Sequence, residues 1–119
     1  MSGFAAAKFE GKRRLVSLKP SDNSEATMLT ASDNVTVLAI AISNNTGGGI
    51  AATVRWRDAS ASTDYDIIAV KDVAANDTLF INEIPLVLKA SDLIKVTSAT
   101  GNALTFTLLI VEALGAIQG

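Results

Sequence analysis

The last third of the chain sets the tightest limit on its fold. Ile84-Pro85-Leu86-Val87-Leu88 runs through Lys89-Ala90-Ser91-Asp92 into Leu93-Ile94-Lys95-Val96, and Leu104-Thr105-Phe106-Thr107-Leu108-Leu109-Ile110-Val111-Glu112 follows. Short apolar runs rich in β-branched residues and separated by polar turns bury their side chains best as strands of a packed sheet. The chain also has no Cys and no His, the residue types that most often supply a nucleophile, a base or a transition-metal ligand. The pattern predicts a chain that packs and adheres, with no cofactor.

The same pattern extends toward the N-terminus. Strands are expected over residues 14–19, 25–31, 35–43, 50–58, 65–71, 78–81, 86–88, 93–97 and 104–112. Eight or nine strands at spacings of roughly 8 to 12 residues describe an all-β antiparallel β-sandwich that is jelly-roll-like. The run from Val35 to Ser43 is apolar at both parities, which predicts a central strand covered on two sides. Asn44-Asn45-Thr46-Gly47-Gly48-Gly49 is the strongest turn, because Asn and Gly tolerate positive φ, and it predicts a hairpin between 35–43 and 50–58. Residues 1–13, with Phe4 and Phe9 as their large aromatic groups, read as an extended N-terminal arm. Residues 14–119 are expected to form the sandwich domain.

A length of 119 residues fits one domain, large enough to bury about two-thirds of its unfolded surface. Apolar residues make up 49% of the chain and charged ones 18%, against a usual charged share of roughly 25%. That is more hydrophobic surface than a monomer needs, so a homo-oligomer is expected. A formal net charge of −2 creates no field toward nucleic acid or an anionic membrane. The longest apolar stretch, residues 37–42, is far short of the roughly 20 residues that span a bilayer. No secretory signal is expected, because the N-terminus lacks a basic segment followed by a long apolar one.

Three clusters carry charge or aromatic surface. Asp58, Asp64 and Asp66 crowd one region, and Asp64 and Asp66 share a strand face. Paired carboxylates of this kind serve glycoside hydrolysis or calcium binding, although Asp beside a loop is ordinarily just solvated. Arg55-Trp56-Arg57 places the single Trp opposite two outward cations. That strand pattern predicts a core Trp, with the arginines free to meet acids, including those of a neighbouring subunit. With Tyr65 it also offers the alternative of a carbohydrate-binding face. Lys12-Arg13-Arg14 is a basic cluster beside the arm, and the acidic pI of about 4.9 argues against a dedicated DNA binder. Asn34-Val35-Thr36, Asn44-Asn45-Thr46 and Asn76-Asp77-Thr78 match the glycosylation sequon and are read as turn chemistry.

Val35 to Asn44, Tyr65 to Val70 and the closing Leu86-Val87-Leu88-Lys89-Ala90-Ser91-Asp92-Leu93-Ile94-Lys95-Val96 together resemble small tailed-bacteriophage virion proteins. In that pattern a strand ending in Asn precedes a hairpin, and a Leu, small residue, Asp, apolar, Lys, Val stretch leads to a last strand ending in Glu. The resemblance covers roughly residues 25 to 113, and this chain has Ser91 where the family pattern often has Gly. It implies a non-enzymatic β-sandwich of the virion, made in the host cytoplasm. The implied role is capsid decoration or cementing, with a tail or head-tail junction component as the alternative. The partners implied are further copies of the chain and the major capsid protein. The contact residues expected are Phe4, Phe9, Arg13, Arg14, Arg55 and Arg57. Asp64, Asp66 and Glu112 are the few groups an enzyme could draw on.

Overall fold

The computed structural model of the chain describes residues 12–112, excluding the side chains of residues 12 and 83–85. The described residues form eight strands: β1 (Lys12–Leu18), β2 (Ala26–Thr30), β3 (Val35–Asn44), β4 (Ile50–Asp58), β5 (Thr63–Val73), β6 (Thr78–Leu88), β7 (Leu93–Ser98) and β8 (Leu104–Glu112). They build two antiparallel four-stranded sheets, ordered β1-β8-β3-β6 and β2-β7-β4-β5. The chain behaves as a long ribbon folded at the β4-β5 hairpin, so that β3 pairs β6, β2 pairs β7 and β1 pairs β8. Rolling that ribbon adds the contacts of β3 with β8 and β4 with β7. This is the jelly-roll order of eight strands in two sheets.

Period-two alternation fixes which side chains face inward. Leu104, Phe106, Leu108 and Ile110 of β8, with Val37, Ile40 and Ile42 of β3, are buried from one sheet. Val54, Ile94, Val96, Leu29, Ile68 and Val73 meet them from the other. Val16 and Leu18 of β1 pack against this core, while Leu15 points outward. Each large aliphatic side chain buried in this way contributes roughly 1.5–3 kcal/mol. The interleaving of the two inner faces is therefore what holds the sheets together.

Four expectations change. The segment 44–49 is a crossover between sheets, because β3 pairs β6 and β8 while β4 pairs β5 and β7. Turn chemistry reports that the chain reverses, not which strands then pair. Residues 78–81 and 86–88 belong to one strand, β6. It tolerates Pro85 because it lies at a sheet edge, and its register shifts there against Val37 and Ala39. β3 is central in its sheet, yet its outer face is only partly covered: Ala39 is buried there, but Thr36, Leu38, Ala41 and Ser43 stay half-buried. No second layer covers that side among the described residues. Finally, Lys12 and Arg13 open β1, opposite Glu112 and Val111, while residues 1–11 of the expected arm, with Phe4 and Phe9, lie outside the described residues.

Ser91 has φ 79°, the left-handed conformation that glycine adopts freely.

Candidate functional site

The two outward sheet faces differ in chemistry. On the outer face of the β2-β7-β4-β5 sheet, register sets Arg55 between Asp66 and Lys95, and Arg57 beside Asp64. Arg55 Nε reaches Asp66 Oδ1 at 2.9 Å and Arg55 Nη1 reaches Glu25 Oε2 at 3.6 Å. Arg57 Nη1 lies 3.2 Å from Asp64 Oδ1. Lys95 Nζ ties the two halves together, at 3.3 Å from Glu25 Oε1 and 3.1 Å from Asp64 Oδ1. The arginines thus meet acids within the chain. The hydrogen bond from Lys95, aided by Arg57, holds the Asp64 carboxyl below its ordinary range against some desolvation. A carboxylate so stabilised in its charged form is a poor general acid.

Asp58 plays another part. It accepts hydrogen bonds from the Ser60 N–H, the Ser60 hydroxyl and the Ala61 N–H, shaping the β4-β5 loop. The Ser60 hydroxyl is the main cause of its lowered pKa. Asp58 therefore does not complete a triad with Asp64 and Asp66, and the described residues contain no cluster of three or more metal-ligating side chains. Glu112 is bound by Arg14, whose Nε donates to Oε1 at 2.7 Å and Nη2 to Oε2 at 3.2 Å.

Trp56 packs against the core, as the alternation predicts, and stacks on Tyr65 with ring centroids 5.0 Å apart and an interplanar angle of 29°. Its Nε1–H donates to Asp92 Oδ2 at 3.4 Å. Asp92 is 1% exposed and also accepts from the N–H groups of Lys89 at 2.9 Å and Ala59 at 3.0 Å. Burial pushes this carboxyl up, but the three donors prevail and leave it below its ordinary range. The sequence marks Asp92 only as a turn residue, whereas it fastens two loops to the Trp. Asn44 does similar work at the other end of the sandwich. Its amide donates to Gly48 O and Val73 O, both at 2.8 Å, and its oxygen accepts from the Thr46 N–H and hydroxyl. Turn chemistry is thus its role. Beside it Asn45, Asn76, Asp77 and Thr105 help line an open polar cleft of about 480 Å³.

The outer face of the β1-β8-β3-β6 sheet is the opposite of the ionic face. Its cross-strand rows are Arg13, Val111, Thr36, Val87; then Leu15, Leu109, Ala39, Asn82; then Ser17, Thr107, Ala41, Phe80; and last Thr105, Ser43, Thr78. Leu15 is 66%, Phe80 60% and Val87 57% exposed. Among the described side chains of these rows Arg13 is the one charge, at a corner. Phe80, Val87, Leu15 and Leu109 were not singled out by sequence. Their signal was apolar residues at both parities of β1 and β8, an excess for a half-buried strand.

Neither a protein-family model nor a curated protein sequence matches the chain. Among the solved structures similar to it in fold are the following three. One is a chain of the T13 IBDV viral particle (8% identity, TM-score 0.54), which covers 89% of this chain; this chain spans 32% of that one. Another is the NLP core of Drosophila (14%, TM-score 0.53), with 85% of this chain and 99% of that chain covered. The third is a protein of Bacillus endospore appendages (11%, TM-score 0.52), with 87% and 86% covered. At these identities the likeness establishes the β-sandwich alone.

Proposed function

We propose that this chain is a non-enzymatic structural subunit of a virion, a capsid decoration or cement protein that works by burying surface. The observation that carries this reading is the outer face of the β1-β8-β3-β6 sheet, apolar and with one charge among its described side chains, on a fold whose other outer face neutralises its own charges. Exposed apolar patches of several hundred Å² mark sites of association. The similar structures support an assembling role by their names: a viral particle, a core studied for pentamer formation, and disulfide-linked pili. The proposed partners are further copies of the chain, in a homo-oligomer, and the major capsid protein, for which residues 1–11, with Phe4 and Phe9, followed by the exposed Arg13, are the proposed contact.

Mixing the purified protein with virus particles that lack it tests this. Saturation of heads at a stoichiometry tied to capsid symmetry is the expected result, with binding lost on deletion of residues 1–11 while the melting temperature holds. Occupancy of tails alone moves the protein to the tail or head-tail junction. Binding to neither sinks the virion role. The carbohydrate-binding alternative has less support, since Trp56 is packed on the core and tied to Asp92.

A further inference from the structure

The register of the apolar sheet places Phe80 and Val87, two of its most exposed large side chains, on either side of one row. On β8, Thr107 and Val111 stand two residues either side of Leu109; on β1, Ser17 and Arg13 stand two either side of Leu15. On the edge strand β6, Phe80 lies in the Thr107 row and Val87 in the Val111 row. The extra residues of β6 between them are taken up by the register shift opposite Val37 and Ala39. The row through Leu15 and Leu109 is therefore the midline between Phe80 and Val87.

We propose that this face binds a second copy of the chain, the two faces related by a two-fold axis that runs across the strands along the row of Leu15 and Leu109. The inference rests on the homo-oligomeric part of the function proposed above, and does not need its capsid part. A two-fold interface must be self-complementary, each residue i meeting j as j meets i. Across this axis Phe80 of each copy faces Val87 of the other, while Leu15 and Leu109 each face their own counterpart. Arg13, the one charge in these rows, falls over Ser17 of the second copy and not over another Arg13. An axis along the strands instead sets Phe80 over Ser17 and Arg13 over Val87, which leaves a charge on an apolar group.

Chemistry and size both favour a second copy over other occupants. Among its described side chains the face offers one charge, Arg13, to a charged partner, and the ionic face of the same molecule, with its three acids and three cations paired among themselves, does not complement it. Four strands about 4.8 Å apart, and seven residues rising about 3.4 Å each, give a projected area of roughly 450 Å² per copy. With side-chain relief, two such faces approach the lower end of the roughly 1,200–2,000 Å² of stable interfaces. An area at that lower end gives a weak, reversible pair, with a dissociation constant expected in the micromolar range.

The test is the mass of the full-length protein by sedimentation equilibrium, from about 1 to about 300 µM around that expected constant. The expected result is a monomer-dimer equilibrium that weakens at least ~100-fold in Leu15→Glu, which sets two carboxylates against each other on the axis. Because the chain has no Cys, single cysteines map the axis with a bis-maleimide spanning the ~10 Å between packed sheets. Leu15→Cys should cross-link to itself. Phe80→Cys should cross-link to Val87→Cys in a mixture better than either does alone, and Val70→Cys, on the other sheet's edge, should not cross-link. If Leu15→Glu does not fold, the Leu15→Cys result still decides the position of the axis.

A monomer throughout, an odd-numbered oligomer, or Leu15→Glu with undiminished association each overturns the proposal. So does a dimer in which Phe80→Cys links best to Ser17→Cys. A monomer that nonetheless saturates heads overturns this pairing and leaves the capsid role standing; a dimer that ignores heads does the reverse.

Discussion

The two sheets share strand number, antiparallel pairing and a common core, yet their outward faces solve solvent exposure in opposite ways. The β2-β7-β4-β5 face places Glu25, Asp64 and Asp66 within reach of Arg55, Arg57 and Lys95. Its groups are matched to one another and to water. The β1-β8-β3-β6 face holds Leu15, Phe80 and Val87 more than half exposed, with Arg13 at its corner. Both are antiparallel and four-stranded, so the difference lies in what each strand carries at its second parity. A face closed on its own charges suits solvent, and a face without them suits another surface.

The largest effect expected separates stability from association. Asp92→Asn keeps one acceptor oxygen but turns an NH₂ toward the donors of Lys89, Ala59 or Trp56. Leaving buried donors unpaired at this site costs about 3 kcal/mol, a fall in melting temperature of roughly 10 °C for a chain of this size. Urea melts check this, and the folded variant should associate through the apolar face as before. If association falls in proportion, the two faces are not independent. The pH dependence follows the same division. The folded-state pKa of Asp92 is depressed, as are those of Asp58 and Asp64. Their stabilisation is therefore fully present above the unfolded value of about 4 and is lost as pH falls through the lower folded values. Unfolding midpoints should be level from pH 7 to about 5 and drop below about 4, less steeply in Asp92→Asn, whereas association should be level from pH 5 to 9.

Much of the fold was legible because strands announce themselves locally. Leu104, Phe106, Leu108 and Ile110 alternate with Thr105, Thr107 and Leu109, and that alternation alone names the buried face. What stayed hidden depends on distant residues. Asn44 to Gly49 looks the same in a hairpin as in a crossover; its outcome depends on Val73, whose carbonyl accepts from the Asn44 amide. Pro85 looks like a strand opener until β6 is known to be an edge. Asp92 looks like one more turn aspartate until Ala59 and Trp56 are brought over it. The arginines around Trp56 were found as a pair, but that Asp64 and Asp66 would answer them needed the β4-β5 register. The apolar outer face was visible only as an excess, since Leu15 and Leu109 join Phe80 and Val87 on one face only through the pairing of β1, β8, β3 and β6.

A smaller effect is expected at the edge of the ionic sheet. β5 carries two register shifts against β4, around Val54, and there Val70 sits at φ 45° with 72% of its surface exposed. A β-branched residue in this left-handed region is strained by roughly 1–2 kcal/mol. Bulges twist an edge away from pairing, so this edge is shielded by shape where the apolar face is not. Val70→Gly relieves the strain but frees the unfolded chain by ~0.5–1 kcal/mol. The net expectation is a gain of about 0.5 kcal/mol, and Val70→Asn, which tolerates the same φ without glycine's entropy, should gain more. Thermal melts of both decide it, and destabilisation by both would mean that the bulge is absent in solution.

The smallest effect expected is on the ionic face itself. Arg55 and Asp66 are about half exposed, and exposed ion pairs are screened by water and salt. Asp66→Asn should leave the melting temperature unchanged within error. Lys95 differs: its side chain is only 15% exposed and it bridges Glu25 and Asp64. Removing it leaves those two acids without their shared cation and lets Arg55 and Arg57 hold them separately. A double-mutant cycle between Lys95→Met and Asp64→Asn should therefore show a coupling that shrinks from low salt to 1 M salt, while the cycle between Arg55 and Asp66 shows none at either. Equal coupling in both cycles would mean that the face acts as one network. Coupling in neither would make its charges solvating groups and nothing more, and the contrast with the apolar face would then rest on hydration alone.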